Sequence, residues 1–318
     1  MAARLVALTG ATGFLGRHLA VALAGRGLRL RILARRDPAH PLWQEIVPEV
    51  VPGGLEDAAA LARLVQGADV VIHLAGLIRA GSRREFLRVN RDGAARLAET
   101  LRRHAPAAHL IGISSLAARE PRLSAYAESK RAGERALAEA FADGRLTILR
   151  PPVIYGPWDR ATLAIFRVAG GRIVPVPGSP EARVAMIHVE DAAAAIAALA
   201  AWAEAPGGAI YALADPNPAG YSPRDILALA AAALGNAPRF VRVPAVAVRL
   251  AGLAAGLTAW LLRRPQIFNP GKAREMLYPA WSVTAQELLP ATIAVSRIDL
   301  RRGFAGTVAW YRQAGWLA

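Results

Sequence analysis

Short apolar runs alternate with longer amphipathic stretches through the first half of the chain. Arg4-Leu-Val-Ala-Leu-Thr9 is nearly continuous in apolar residues, too short for a helix and suited to a strand buried on both faces. Arg17 to Ala24 then repeats its apolar positions at helical spacing. The alternation continues with strands expected over 28–34, 68–74, 108–114 and 145–150, and helices over 57–66, 83–103 and 123–141. Asp57 stands where the first of those later helices needs an N-cap. Such alternation predicts an α/β fold built on a doubly wound parallel sheet. Ligands of these sheets gather at the carboxyl ends of the strands, where Gly10, His73 to Gly76, Ser114-Ser115 and Pro151-Pro152 fall.

Between the first strand and its helix lies Gly10-Ala-Thr-Gly13-Phe-Leu-Gly16. Glycines let the backbone turn sharply and approach a pyrophosphate, while a helix N-terminus favours the negative charge. At the head of a strand–helix series this loop predicts a Rossmann-type fold, with Gly10, Thr12, Gly13, Phe14, Leu15 and Gly16 around a dinucleotide. Cofactor choice belongs to the end of the second strand, where an acid would hold the ribose hydroxyls of NAD. Ala34-Arg35-Arg36 stands there instead, and arginine forks suit a 2′-phosphate. NADP(H) is therefore expected, with Arg35 the leading contact and Arg36 the second. Asp37, if turned inward to a ribose, makes NAD(H) the alternative.

After Pro157 the pattern loosens. Helices are expected over 192–203, over 222–234 with Ser222 as cap, and from Asn269-Pro270 onward. A strand is expected over 209–214, and Ile298 leads into a terminal helix ending near Ala314. Residues 1–157, with 184–203 returning to them, are assigned to the nucleotide-binding domain. Residues 158–318 form mainly a smaller α/β substrate lobe, expected to close over the cleft. Within it, Leu250 to Leu262 runs for 13 residues without a charge, between Arg249 and Arg263-Arg264. A bilayer span needs about 20 residues, so a buried helix or cleft wall is expected. An interfacial anchor, with Trp260 and the arginines at the headgroups, is the alternative.

Composition narrows the class. Of 318 residues 54% are hydrophobic and 20% charged, which argues against disorder. The absence of cysteine excludes disulfides, thiolate metal sites and cysteine nucleophiles, and no metal-binding group of residues is expected. The formal charge is +15, but the arginines are scattered singly or in pairs and aromatics are only 6%. Nucleic acid is thus not an expected partner. A solvated basic surface is expected, with weak attraction to an anionic membrane or substrate as the alternative. The first strand starts at Arg4, from which no signal peptide and a cytoplasmic location are expected.

One pair stands out against this background. Of 39 basic residues only Lys130 and Lys272 are lysine, and Lys130 closes the segment Tyr126-Ala-Glu-Ser-Lys130. Residues i and i+4 share a helix face. An ammonium beside a phenol favours phenolate and draws its pKa down from about 10, which equips a tyrosine as general acid or base. A surface helix with an exposed Tyr and an exposed Lys is the plain alternative. Lys272 is read as a surface charge.

A series of motifs now falls into order: Thr9-Gly-Ala-Thr-Gly-Phe-Leu-Gly16, Val71-Ile-His-Leu-Ala-Gly76, Val89-Asn90, Ile113-Ser-Ser115, Tyr126-xxx-Lys130, Leu149-Arg-Pro-Pro-Val-Ile-Tyr-Gly-Pro157 and Met186-Ile-His-Val-Glu-Asp191. In kind and sequence they resemble the extended short-chain dehydrogenase/reductases of the NAD-dependent epimerase/dehydratase kind. The resemblance implies that Tyr126 transfers a proton as hydride moves to or from nicotinamide. It implies Lys130 on the nicotinamide ribose and Ser115, rather than Ser114, on the substrate oxygen. Leu74, Ala75, Gly76, Asn90, Pro151 and Val153 are implied cofactor neighbours. So are Gly54 and Leu55, with Leu55 packing on adenine where relatives often carry an acid. Tyr155 is expected in packing or a cleft wall, and His73 and His188 at strand ends bonded to backbone. A homodimer through helices 83–103 and 123–141 is also implied.

Departures from the resemblance bear on substrate. Leu116-Ala-Ala-Arg-Glu-Pro121 stands where sugar-nucleotide epimerases usually carry a Tyr-Gly pair. Those enzymes tend to place a diphosphate-gripping arginine three residues before the Ile-His-Val run. Arg183 stands four before Ile187, and a one-residue shift turns a strand side chain to the opposite face. The leading expectation is an NADP(H)-dependent oxidoreductase acting on a carbonyl or secondary alcohol of a small or medium hydrophobic molecule. A nucleotide-sugar epimerase or dehydratase with tightly held NAD is the first alternative. A non-catalytic cofactor-binding scaffold or sensor is the second.

Overall fold

The computed structural model describes residues 3–202, 207–262, 266 and 268–317. The first half alternates as its pattern predicts: β1 (Leu5–Thr9), α1 (Phe14–Ala24), β2 (Arg29–Ala34), β3 (Glu49–Pro52), α2 (Ala58–Val65), β4 (Val70–His73), α3 (Arg83–Leu87), α4 (Gly93–His104), β5 (His109–Ile113), α5 (Ala125–Ala140) and β6 (Leu146–Arg150). The second half holds β7 (Val153–Tyr155), α6 (Leu163–Ala169), β8 (Ile173–Pro177), β9 (Arg183–Val184), β10 (Met186–His188), α7 (Val189–Ala201) and β11 (Ala209–Ala212). It ends with α8 (Pro223–Leu234), β12 (Arg239–Val243), α9 (Ala245–Leu261), α10 (Pro270–Leu277), β13 (Ala280–Trp281) and α11 (Leu300–Gln313).

Seven strands form one parallel sheet in the order β11-β6-β5-β4-β1-β2-β3. The order runs outward in both directions from β1, so a crevice is expected at the carboxyl ends of β1 and β4. Val6, Ala7 and Leu8 are fully buried, as a strand covered on both faces requires. Leu64, Leu97, Leu101 and Leu110 share one core with Val71 and Leu137. Each such side chain contributes roughly 1.5–3 kcal/mol by leaving water.

The chain divides into two compact units, residues 1–150 with 193–212 and 289–295, and residues 151–192 with 213–288 and 296–318. The first division falls at Arg150 rather than at the expected 157, because β7 leaves the large sheet and pairs with β10. The chain returns to the first unit over 193–212 instead of 184–203, since β11 supplies the strand beside β6. Ala203, the expected end of the helix seen as α7, lies outside the described residues. The second unit packs α6, α8 and α11 around Tyr155, Phe166, Phe304 and Tyr311. Ser222 and Asp225 close a capping box at the head of α8, worth about 1 kcal/mol.

The burial expected for residues 250–262 is not found. The stretch 250–262 lies in α9 and the turn after it, and its leucines are exposed, Leu250 at 60%, Leu253 and Leu257 at 57%. The covered face of α9 is made of Val248 and Gly252, set against α10. Apolar content is high all round this helix, so its sequence does not show which side is packed. Arg263 and Arg264 lie outside the described residues, as does the side chain of Trp260.

Candidate active site

β1 delivers the chain into the glycine loop. Gly10 adopts φ +75°, and a Cβ there would stand 2.6 Å from Ala75 N. A Cβ on Gly16 would collide with the Gly10 carbonyl oxygen. Both positions therefore require glycine. Gly13 is the N-cap of α1 and offers no side chain, so the first-turn N–H groups have no side-chain cap. No acid stands in that turn. Thr12 and Gly13 are exposed at its rim. Uncapped donors at a helix N-terminus behind a Cβ-free approach fit a pyrophosphate.

The loop after β4 is tied back to the same place. Leu74 N donates to Thr9 O at 3.3 Å and Ala75 N to Thr9 Oγ1 at 3.2 Å. A Cβ on Gly76 would lie 3.1 Å from Asn90 Oδ1 and 3.8 Å from Lys130 Nζ, so these three residues converge. Asn90 arrives there by an irregularity. The expected helix over 83–103 is interrupted by a π turn at Arg88–Asp92, a feature that re-aims side chains. Asn90 Oδ1 accepts from Leu77 N at 2.7 Å, and its Nδ2 donates to Leu77 O at 3.1 Å and Ser129 Oγ at 2.8 Å. Ser129 in turn donates to Tyr126 O at 2.7 Å. Asn90 thereby holds the loop after β4 against α5.

Ser124 caps α5 by accepting from Ala127 N at 2.9 Å, and Tyr126, Lys130 and Glu134 follow at four-residue steps along one face. Lys130 Nζ donates to the Ile113 carbonyl at 2.8 Å, where β5 ends. Burial lowers the Lys130 ammonium to about 8, although neighbouring Glu134 acts to raise it. Glu134 is 5% exposed and accepts from Ser114 Oγ at 2.6 Å. Tyr126 is half-buried, its ring 6.0 Å from that of Phe86. Ser115 Oγ accepts from Ala117 N at 3.2 Å and caps the 3-10 turn Leu116–Arg119. The two adjacent serines thus differ: Ser114 gives its proton to Glu134, whereas the proton of Ser115 is not spent in its cap.

His73 is buried at the end of β4, but its expected backbone bond is replaced by one to a side chain, Nδ1 to Thr9 Oγ1 at 2.9 Å. Burial and then the Lys130 charge lower it to about 3, so the ring is neutral. Arg35 and Arg36 are exposed beyond β2, and Asp37 Oδ1 accepts from Ala39 N at 3.0 Å, folded onto its own turn. Gly54 is buried and Leu55 half-buried, packed so closely on α4 that a Cβ on Gly93 would stand 2.7 Å from Leu55 Cδ1.

Pro151 and Val153 belong to the second unit, where Val153 pairs with Met186. Tyr155 is fully buried there, T-shaped against Phe304 at 4.9 Å, and burial pushes its phenol well above the usual range. His188 Nδ1 accepts from Glu190 N at 3.3 Å, a backbone bond as expected. Arg183 donates to the carbonyls of Pro180 and Ala182, at 2.9 and 3.0 Å. Lys272 pairs with Glu275 at 3.0 Å within α10.

Sequence reading missed three residues of the first unit. Glu134 continues the four-residue step from Lys130, a signal present in the chain. Ser129 carries no such signal. Arg17 follows Gly16 directly, its Nε buried without a hydrogen-bond partner and its charge, after burial, lowering His40.

Residues 6–214 match the model of the NAD dependent epimerase/dehydratase family. The chain belongs to this family. It is 47% identical over 313 residues to a ceramide reductase of Caulobacter vibrioides, covering 98% of this chain and 96% of that one. It is 29% identical over 327 residues to 4-hydroxy-2-methyl-3-oxo-4-farnesyl-3,4-dihydroquinoline-1-oxide ketoreductase of Stigmatella aurantiaca, covering 89% and 94%. Among solved structures, gox2253 matches with a TM-score of 0.77 at 19% identity, covering 100% of both chains. MoeE5, solved with UDP-glucuronic acid and NAD, matches with a TM-score of 0.71 at 22% identity, covering 98% and 99%. These two likenesses concern the fold. Within the family the chain is an NAD(P)-dependent oxidoreductase of the extended short-chain type. Among the described residues no helix is long and apolar enough to cross a membrane.

Proposed function

We propose that this chain reduces a ketone on a ceramide-type lipid with NADPH as reductant. The observation that carries the reading is 47% identity to a ceramide reductase over nearly the full length of both chains. Residues assigned to the dinucleotide are the loop from Gly10 to Gly16, Gly54-Leu55, Leu74 to Gly76, Asn90, Lys130, Pro151 and Val153. Arg35 and then Arg36 are assigned to its 2′-phosphate: both are exposed cations at the end of β2, and Asp37 is bonded to Ala39 N. Bound NADPH supplies the hydride.

Tyr126 Oη gives its proton to the ketone oxygen as that oxygen gains negative charge. Lys130, one N–H on the Ile113 carbonyl, holds positive charge on the same face of α5 and favours the phenolate left behind. Ser115 Oγ accepts from Ala117 N and donates its own proton to the same ketone oxygen, which orients it. The carbonyl gains one hydride and one proton and becomes a secondary alcohol. Arg183 supports a lipid over a nucleotide sugar, because its guanidinium is engaged by neighbouring carbonyls.

The test is NADPH oxidation by the purified protein with a detergent-dispersed keto-ceramide, together with detection of the alcohol. Equal loss of NADPH and gain of alcohol is expected, abolished in Tyr126→Phe with dinucleotide binding retained. Turnover of a UDP-sugar without net NADPH loss, and no reaction with the lipid, would overturn the reading.

A further inference from the structure

The outer face of α9 takes no part in the site above. Val246, Leu250, Leu253, Leu257 and Leu261 are each 57–64% exposed. At about 100° per residue they fall within one arc of about 80°. The opposite side is pinned to α10 by small residues: a Cβ on Gly252 would stand 2.8 Å from Ala273 Cβ, and one on Gly256 2.9 Å from Pro270 Cδ. The helix is therefore anchored by its glycines and presents its leucines. A continuous exposed aliphatic face of this kind marks an interaction surface.

Charge identifies what covers it. Between Asp225 and Glu275 the chain carries six arginines and one lysine and no carboxylate. Arg249 is exposed on α9 itself, beside the apolar arc, and Arg239 and Arg242 are exposed on β12, which leads into α9. A second copy of the chain would set these cations against themselves. A bilayer surface with anionic lipids offers acyl chains to the leucines and negative headgroups to the arginines. We propose that α9 docks flat on an anionic membrane surface, leucines at the acyl boundary and Arg249 at the headgroups. Vesicle binding requires no turnover, so this inference is independent of the substrate assigned above.

The experiment is flotation of the full chain with vesicles of phosphatidylcholine alone and of phosphatidylcholine mixed with phosphatidylglycerol. The protein is expected to float with the anionic vesicles. A Leu253→Glu, Leu257→Glu double variant is expected to lose at least about tenfold in partitioning, with circular dichroism and NADPH binding unchanged. Failure of the unaltered chain to float with anionic vesicles overturns the proposal. Equal flotation of the double variant overturns it too, by assigning binding to overall charge. A dimer that the double variant abolishes, without vesicle binding, gives the face to a second copy and overturns it as well.

Discussion

Arg150 grips Glu134 with two hydrogen bonds, Nε to Oε1 at 2.8 Å and Nη2 to Oε2 at 2.6 Å. The side chains are 14% and 5% exposed, and the pair joins the last residue of β6 to α5 one turn beyond Lys130. Removing one member of such a pair strands the other charge away from water. Glu134→Ala is expected to lower unfolding free energy by about 3–5 kcal/mol. Glu134→Gln, which keeps an acceptor for the guanidinium, is expected to cost less. Urea denaturation of the two variants checks both the size and the order.

The pH behaviour of Lys130 follows from its burial. Its ammonium is lowered from 10.5 to about 8 in the folded chain. Between these values the unfolded chain holds a proton that the folded chain has released. Stability from this group therefore rises with pH across that window, by up to roughly 1.4 kcal/mol per pH unit. Below about 8 both states are protonated and its contribution is constant. Activity runs the other way, because loss of the charge removes the partner of the Tyr126 phenolate. Profiles of kcat/KM are expected to fall above a pH of about 8. Lys130→Met is expected to be slower by about 10²–10⁴-fold and to lack that limb.

Much of the fold was legible because strands buried on both faces must be apolar throughout. The runs at β1, β4, β5 and β6 needed no partner to be recognised. The strands β7, β9, β10 and β13 are only two or three residues long, too short for any period to declare itself. Within the site, Gly10 and Gly16 were legible because close backbone approach excludes a side chain. The irregularity at Asn90 is not legible, since a single extra residue in a π turn leaves the apolar pattern on either side intact. Glu134 shares the four-residue step of Tyr126 and Lys130, but a glutamate on an amphipathic helix reads as solvated until its arginine, 16 residues away, is seen. α9 was misread because glycines, not leucines, make its packed face.

Arg35 and Arg36 offer the sharpest test of cofactor choice. A hydrogen bond to a charged group contributes about 1.5–3 kcal/mol, which corresponds to roughly 10–100-fold in affinity. Arg35→Ala is expected to raise KM for NADPH by that factor and to leave KM for NADH nearly unchanged. Arg36→Ala is expected to act in the same direction but less. Steady-state kinetics with the two dinucleotides distinguish a 2′-phosphate contact from a general effect of charge, which would move both constants together.

Asp215 is a buried carboxylate in the second unit, 2% exposed. Burial raises it to about 6, against bonds from Tyr221 Oη at 2.7 Å and Asn217 N at 2.9 Å, and Asp299 and Asp191 add repulsion. Between 3.8 and about 6 the folded chain holds a proton that the unfolded chain has released. Stability from this group therefore falls as pH rises through that window, and the ionised form remains a cost above it. In Asp215→Asn the amide oxygen can accept from Asn217 N while the amide NH2 donates to Tyr221 Oη, and the charge is removed. The variant is expected to be more stable at a pH of about 7.5 by on the order of 1–3 kcal/mol. The gain should shrink as pH falls from about 6 toward 3.8, where the native carboxyl is already neutral. Thermal unfolding of both proteins at the two ends of this range is the measurement. A shift of equal size at both ends would mean that altered packing, rather than relief of a buried charge, sets the effect.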